Sequence, residues 1–326
     1  MRFLLDAEQR AFADSLHMML TAADTPSVVR DWSRGEHASG RALWSRIAEV
    51  GVFALAVPEA HEGLGPRPVE LAVAFLELGR HAVPGPLVET VSAAALLADL
   101  PDLGPAKRLL PALATGEAMA TLAWTAPYAL DGDVATTLLA LTPQGLHLSP
   151  GHGPVRASLD PARRLSPLHA GGELLSPDPP TARTLTYARL TTAAQALGVG
   201  LALLDRTVAY VKQRTQFGAS IGSFQAVKHR LADAKIALEF ARPLLFGAAL
   251  TLAPADVAAA KVTACEAAYA TARIALQLHG AIGYTAEYDL SLWLTKARAL
   301  RTAWGDPDVC RAEVLSGDRL NGDRRW

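Results

Sequence analysis

Apolar residues recur every three or four positions through the C-terminal part of the chain. Leu197, Leu201 and Leu204 begin one such stripe, and this spacing is the period of one face of an α-helix. Three later stretches repeat the pattern, at residues 224–241, 254–280 and 290–304. Four long amphipathic helices joined by short connections predict an antiparallel four-helix bundle.

Two other zones precede this bundle. Helical patterns separated by Gly/Pro-rich breaks predict helices at residues 41–50, 68–80 and 88–97. Short apolar runs bounded by Pro, Gly and Asp then predict strands of a small sheet, followed by a linker around residues 167–180. The fold class is therefore mostly α with a small β domain. The predicted parts are an N-terminal helical domain (1–115), a reduced β-domain with linker (116–182) and the C-terminal bundle (183–326).

Composition removes several classes of function. The net charge of −1 gives no chain-wide basic field for nucleic acid or an anionic membrane. No apolar stretch approaches the roughly 20 residues of a membrane-spanning helix. The first predicted helix contains acidic residues, which a signal peptide would lack. The two cysteines and nine histidines follow no metal-ligand spacing. We therefore expect a cytoplasmic protein without a metal site, a nucleic-acid partner or a membrane partner.

A candidate nucleotide-binding segment follows the first long bundle helix. It reads Arg214-Thr215-Gln216-Phe217-Gly218, and Gln225 opens the next helix. An Arg side chain binds phosphate with two parallel hydrogen bonds, an aromatic ring stacks on a base, and a helix N-terminus attracts anions. Composition alone favours a plainer alternative, an αα-hairpin that turns at Gly218 and Gly222.

Two glycines stand three residues apart at the end of the third bundle helix. In the run Gln277 to Thr285 they are Gly280 and Gly283. Glycines there allow the backbone to approach a ligand closely, although a simple helix C-cap also explains them.

Taken in order, these segments resemble one family. The runs R-T-Q-F-G, I-G-S-F-Q and Q-L-H-G-A-I-G-Y-T-A-E-Y are similar to those of acyl-CoA dehydrogenases, and L-A-V-P-E-A-H-E-G-L-G resembles the family's N-terminal domain. The resemblance implies a helical, a β and a four-helix-bundle domain, a tetramer, FAD, and oxidation of an acyl-CoA to its trans-2-enoyl thioester. It implies contacts to the ADP part of FAD, across a subunit interface, from Arg214, Gln216, Phe217, Gly218, Gln225, Gln277, Gly280 and Gly283.

The catalytic carboxylate of that family is missing from its usual positions. The base that takes the α-proton is normally a Glu just before a Gly, and here Trp304 stands before Gly305. The position used by other relatives, before an Arg on the first bundle helix, holds Ala188. The resemblance therefore implies no catalytic residue in this chain. Asp306 is the remaining candidate, but it lies two residues away, and proton transfer needs hydrogen-bond reach.

The part of the family's site that holds the flavin ring is also shortened. Trp124-Thr125-Ala126-Pro127 leads almost directly into Leu130-Asp131-Gly132-Asp133, without the family's T-E-P-x-A-G-S-D loop and W-I-T-N-like strand. A chain with the ADP contacts but without base and ring site resembles the short, non-catalytic subunit of actinobacterial α2β2 steroid-type acyl-CoA dehydrogenases.

The first hypothesis is therefore a subunit that is inactive alone. A homologous partner would supply the catalytic Glu and the pocket for a steroid side-chain CoA, and an electron-transfer flavoprotein would accept the electrons. Two alternatives remain. One is a self-sufficient enzyme with Asp306 or Glu287 as base. The other is a cofactor-free scaffold, which would have no need of Arg214 and Phe217 together.

Overall fold

The computed structural model describes residues 4–124 and 128–321, and helices dominate them. The helices are α1 (Ala7–Thr21), α2 (Thr25–Ser33), α3 (Ala38–Glu49), α4 (Pro68–Arg80), α5 (Leu87–Ala98), α6 (Leu103–Ala114), α7 (Ala182–Gln213), α8 (Gln225–Thr251), α9 (Pro254–His279), α10 (Leu290–Thr302) and α11 (Pro307–Asn321). The strands are β1 (Ala120–Ala123), β2 (Tyr128–Leu130), β3 (Thr137–Thr142), β4 (Gly145–Leu148), β5 (Leu165–Pro167), β6 (Glu173–Ser176), β7 (Thr215–Gln216) and β8 (Ala219–Ser220). The predicted fold class, mostly α with a small β region, is confirmed.

The described residues form two compact units. One falls within Met1–Leu20, Phe75–Ala82 and Arg189–Trp326, and the other within Thr21–Ala74 and Val83–Ala188. We refer to them as the bundle unit and the sheet unit. In the described ranges, no helix is both long and apolar enough to cross a membrane.

The sheet unit contains a four-stranded sheet in the order β1-β3-β4-β6, with β1 and β3 parallel and the other pairs antiparallel. Strand β6 lies inside the stretch predicted as a linker, so that part of the prediction is wrong. Gly172 shows why its glycines misled the prediction. A Cβ there would lie 2.1 Å from the Leu148 carbonyl oxygen, so this glycine permits close strand packing instead of marking a linker. The sequence departure at Thr125–Pro127 lies outside the described residues.

The bundle unit packs α7, α9 and α10 around a small-residue core. Ala196 and Leu203 of α7, Ala268 of α9, and Trp293 and Leu300 of α10 are all buried in this core. Because the residues of α9 in the core are mainly alanines, the helix axes can approach closely. The four predicted bundle helices are present as α7–α10.

Glycines bring the end of α4 against α7 in the same unit. A Cβ on Gly79 would lie 2.1 Å from the Gln195 carbonyl oxygen, and one on Gly198 would lie 1.9 Å from the Leu76 carbonyl oxygen. The Trp293 indole N–H then donates to the Arg80 carbonyl over 2.9 Å. These contacts fix the C-terminal turn of α4 on the bundle.

Helix α11 extends the bundle beyond the pattern read from the sequence. Pro307 occupies its first position, where the missing N–H costs nothing. The Asp306 carboxylate accepts from the backbone N–H groups of Asp308 and Val309, each over 2.9 Å. Asp306 is thus the N-cap of α11.

Candidate functional site

The segment after α7 folds as a short β-hairpin. Strands β7 and β8 pair antiparallel, and the two residues between them, Phe217 and Gly218, have φ values of 53° and 75°. Positive φ at both turn residues is typical of a type I′ turn, which favours Asn-Gly or Gly-Gly. The sequence alternative, an αα-hairpin turning at Gly218 and Gly222, is wrong in one respect. Gly222 lies against Val211, outside the turn, so Gly218 is the one of these two glycines that forms the turn, together with Phe217.

Phe217 has an unusual position in this hairpin. Its side chain is 92% exposed, and its nearest ring contact, with Phe224, joins centroids 6.3 Å apart. A non-glycine residue at positive φ costs on the order of 1–2 kcal/mol. Burial within the chain does not offset that cost, because the ring is exposed. The ring is therefore available for contact with another molecule.

The base of the hairpin is fixed to the end of α7. The Arg214 N–H donates to the Tyr210 carbonyl over 2.9 Å, and the Ile221 N–H donates to the Arg214 carbonyl over 2.8 Å. The Ser220 hydroxyl donates to the Val211 carbonyl over 2.8 Å. The backbone is thus held in place, while the Arg214 and Gln216 side chains remain exposed.

A groove of about 520 Å³ lies at the end of α9. Gly280 closes that helix with φ 64° and ψ −140°, a conformation open essentially to glycine alone. Gly283 differs from the expectation of a lining residue, because it is buried against His279 and Leu276. The residues lining the groove are Arg273, Leu276, Gln277, Gly280, Ala281 and Tyr284.

Two side-chain contacts bring the hairpin, the start of α8 and the groove to one end of the bundle. The Tyr210 ring stacks on His279 with centroids 4.2 Å apart, and its hydroxyl donates to the His279 carbonyl over 3.3 Å. The Arg230 guanidinium donates to the Gln277 side-chain oxygen. The residues predicted to contact FAD therefore lie on neighbouring elements, although they come from two separate parts of the sequence.

His279 is buried at this end of the bundle and packs against Tyr210. Burial lowers its pKa below the ordinary value, which keeps the ring neutral. Its Nδ1 lies 2.8 Å from the Ala275 carbonyl, and a carbonyl only accepts, so Nδ1 carries the hydrogen. The ring is thereby fixed for stacking with Tyr210.

Two further residues of this end, Arg230 and Arg273, lie outside the sequence motifs, and a third, Tyr284, lies within the run Gln277 to Thr285 but was given no role there. Arg273 and Tyr284 line the groove, and Arg230 contacts Gln277. Arg273 precedes Gln277 by one helical turn, so helical periodicity from Gln277 is the signal that could have found it. Together with the exposed Arg214, these residues give the end cationic and aromatic groups, the chemistry that binds phosphates and bases.

The turn between α10 and α11 holds the residues at the family's base position. Trp304 has φ 58°, and its carbonyl accepts from Arg189 Nε over 3.1 Å. The carbonyl of Gly305 accepts from the buried Lys261 ammonium over 2.6 Å. The Asp306 carboxylate caps α11 through two hydrogen bonds. Two cationic side chains therefore hold the carbonyl groups of this turn. The Asp306 carboxylate is engaged in capping α11.

The comparisons with known proteins agree with this fold. The acyl-CoA dehydrogenase N-terminal domain matches residues 6–117, and the C-terminal domain matches residues 181–317. Acyl-CoA dehydrogenase IpdE2 of Mycobacterium tuberculosis is 35% identical, over 89% of this chain and 91% of that protein.

Two solved structures share the fold over nearly the whole chain. A chain of the ChsE4–ChsE5 complex from Mycobacterium tuberculosis matches with a TM-score of 0.82 and 23% identity, and the match covers 100% of this chain and 100% of that one. A variant of the Tcur3481–Tcur3483 steroid ACAD matches with a TM-score of 0.80 and 24% identity, covering 97% of this chain and 98% of that one.

A helical N-terminal region, a small sheet and a C-terminal bundle give this chain the fold of the acyl-CoA dehydrogenases of known structure. This chain belongs to the acyl-CoA dehydrogenase family. The resemblance drawn from the motifs is thus confirmed, and FAD is the cofactor that the family implies, as in solved structures of the same fold.

Proposed function

We propose that this chain is the non-catalytic subunit of a heteromeric, FAD-dependent acyl-CoA dehydrogenase. It contacts the ADP part of FAD, and a homologous partner provides the catalytic Glu and the acyl-CoA pocket. One combination of features carries the proposal. The chain exposes the Arg214 and Phe217 side chains on a fixed hairpin, and it has Trp304 where the family has its catalytic Glu.

The residues at the end of the bundle fit the ADP part of FAD. Arg214 and Arg273 would bind the pyrophosphate, Phe217 would pack against the adenine, and Gln277 would hydrogen-bond the ADP part. Gln216, Gly218 and Gln225 would lie beside them, and Gly280 fixes the groove's backbone. Gly283 would act indirectly by packing behind the groove. When bound, FAD supplies the hydride acceptor for α,β-oxidation.

The two positions at which the family carries its base do not supply one in this chain. A general base must reach the proton that it removes, and Trp304 and Ala188 carry no group that accepts a proton. The Asp306 carboxylate accepts two backbone hydrogen bonds at the start of α11. This engagement argues against Asp306 as the base of a self-sufficient enzyme. The exposed Phe217, kept at positive φ, argues against a scaffold without cofactor.

An unpartnered apolar face supports a protein partner. Ile236, Phe240 and Leu244 follow one another at helical spacing on α8 and are 53%, 70% and 45% exposed. Contiguous apolar surface of this kind marks interaction sites. The solved neighbours named above include a two-protein complex and a steroid enzyme, and we accordingly assign a homologous partner and a steroid side-chain CoA. The electron acceptor would be an electron-transfer flavoprotein.

The test compares the chain alone with the chain co-expressed with a full-length acyl-CoA dehydrogenase homologue from the same organism. Flavin absorbance per chain and its bleaching by a steroid side-chain CoA are measured, with butyryl-CoA as the small-substrate control. We expect the isolated chain to show no bleaching and the complex to be yellow and to bleach. A monodisperse chain that binds FAD and bleaches alone would contradict the proposal.

A further inference from the structure

Three potential metal ligands that are not among the proposed cofactor contacts meet on the bundle unit. Helix α1 carries His17, the last turn of α4 carries Glu77, and His81 follows α4 directly. Glu77 and His81 are four residues apart, and the His81 N–H donates to the Glu77 carbonyl over 3.2 Å. Their side chains therefore leave the same helical face. No spacing pattern marks these residues as ligands, because His17 is 60 positions from Glu77.

Two of the three separations between donor atoms are those of neighbouring ligands on one ion. His17 Nδ1 lies 3.0 Å from Glu77 Oε2 and 3.1 Å from His81 Nε2. All three donor atoms lie within 4.8 Å of one another. Zinc–nitrogen and zinc–oxygen bonds of about 2.0–2.2 Å place neighbouring ligand atoms roughly 3.0–3.5 Å apart.

Hydrogen bonding alone does not satisfy this arrangement. With a hydrogen, His17 Nδ1 donates to the Glu77 carboxylate and cannot accept from His81 Nε2. Without one, it accepts from His81, and its lone pair then faces the carboxylate, which only accepts. One nitrogen therefore serves two close neighbours with a single hydrogen or lone pair. A cation between the three atoms would replace the mismatch with three favourable bonds.

The burial of Glu77 favours a cation beside its carboxylate. Glu77 is 7% exposed, so a cation would offset the cost of keeping its buried carboxylate charged. The repulsive charge of Arg80 is reduced by Asp205, which accepts its hydrogen bond over 2.9 Å.

We propose that His17, Glu77 and His81 form a site for a divalent transition-metal ion of the zinc type, which joins α1 to α4. Two imidazoles and one carboxylate are a ligand set that zinc uses with water in the fourth position. The His17 side chain is 47% exposed, which leaves a path for the ion and for that water. The site does not depend on the role assigned to the FAD contacts.

The test is a zinc titration of the purified full chain after chelator treatment, in competition with a chromophoric chelator. We expect one equivalent of Zn²⁺ per chain and a metal-dependent rise in Tm. His17→Ala and Glu77→Gln should each weaken zinc binding at least about tenfold, the effect seen even for groups that only support ligands. His229→Ala, a change to another exposed helical histidine, is the matched control and should leave both readouts unchanged.

Circular dichroism and gel filtration show whether each variant keeps its fold. Glu77→Gln preserves shape and a hydrogen bond to His17, so it tests charge if His17→Ala unfolds. Zinc binding of equal strength in the wild type, Glu77→Gln and His17→Ala would overturn the proposal. The absence of zinc binding by the folded wild type would do so as well.

Discussion

At the scale of single residues, Asp131 shows how burial links folding to pH. Its carboxyl group is fully buried in the sheet unit and accepts from the Trp32 indole N–H over 3.0 Å. Burial raises its pKa from 3.8 to about 8. Between these values the native chain holds a proton that the unfolded chain has released. The free energy of unfolding that Asp131 contributes therefore falls as the pH rises from about 4 toward 8.

We predict that Asp131→Asn flattens this dependence. The amide is neutral at every pH and still accepts from Trp32, and Asn suits the φ of 51° at this position better than most residues. Denaturant unfolding between pH 5 and 8 measures the difference between variant and wild type, which separates Asp131 from the histidines. The exposed Asp14, changed to Asn, is the matched control. Parallel wild-type and Asp131→Asn curves would refute the assignment.

Asp306 separates capping from catalysis. Asp306→Asn keeps a good N-cap, so turnover of the assembled enzyme should stay within a few-fold of the wild type. Asp306→Ala should lower stability by about 1 kcal/mol through loss of the cap. Steady-state kinetics and chemical denaturation provide the two readouts. A fall of about 10²–10⁴-fold in Asp306→Asn, with FAD still bound, would instead identify a general base.

At the scale of elements, the long helices were predictable and the short hairpin was not. The predicted boundaries of α4 match residues 68–80, because Pro68 begins an uninterrupted apolar period. Strand β6 was missed because its apolar pair, Leu174 and Leu175, lies among Gly and Pro. The β7–β8 hairpin was missed because its strands have only two residues each and Phe217 occupies a turn position that normally favours Asn or Gly.

The hairpin therefore offers a test in which stability and function move in opposite directions. Phe217→Asn gives the Asn-Gly pair that a type I′ turn favours, so the Tm of the isolated chain should stay equal or rise. The flavin content of the assembled complex should fall, because the exposed ring is lost. Differential scanning calorimetry and flavin absorbance are the measurements. A lower Tm with unchanged flavin content would show that the ring acts within the fold.

The sequence motifs predicted individual residues of the candidate site but not their arrangement in space. Arg214 and Gln277 were found because they stand in runs that resemble a family. Their meeting at one end of the bundle depends on the Tyr210–His279 stack, which no local pattern encodes. The same limit hid the His17–Glu77–His81 cluster, whose members become neighbours only when α1 packs against α4.

At the scale of the whole molecule, the exposed face of α8 is expected to bind the partner subunit. Phe240→Glu places a charge on a side chain that is 70% exposed, so stability of the isolated chain should change by no more than about 0.5 kcal/mol. Assembly with the co-expressed homologue, measured by gel filtration, should be lost. Leu315→Glu alters a side chain on α11 that is 64% exposed and is the matched control. Normal assembly of Phe240→Glu would place the interface elsewhere.

We propose that this chain holds part of a cofactor whose chemistry occurs on another chain. The most direct measurement is the FAD affinity and stoichiometry of the complex carrying Arg214→Ala, with assembly checked by gel filtration. Charged hydrogen bonds contribute about 1.5–3 kcal/mol each, so affinity should fall roughly tenfold or more. Arg214→Lys should restore it only in part, because an ammonium lacks the planar fork. Arg10→Ala, at another exposed arginine of the bundle unit, should leave it unchanged. Full flavin stoichiometry and unaltered affinity in Arg214→Ala would contradict the account.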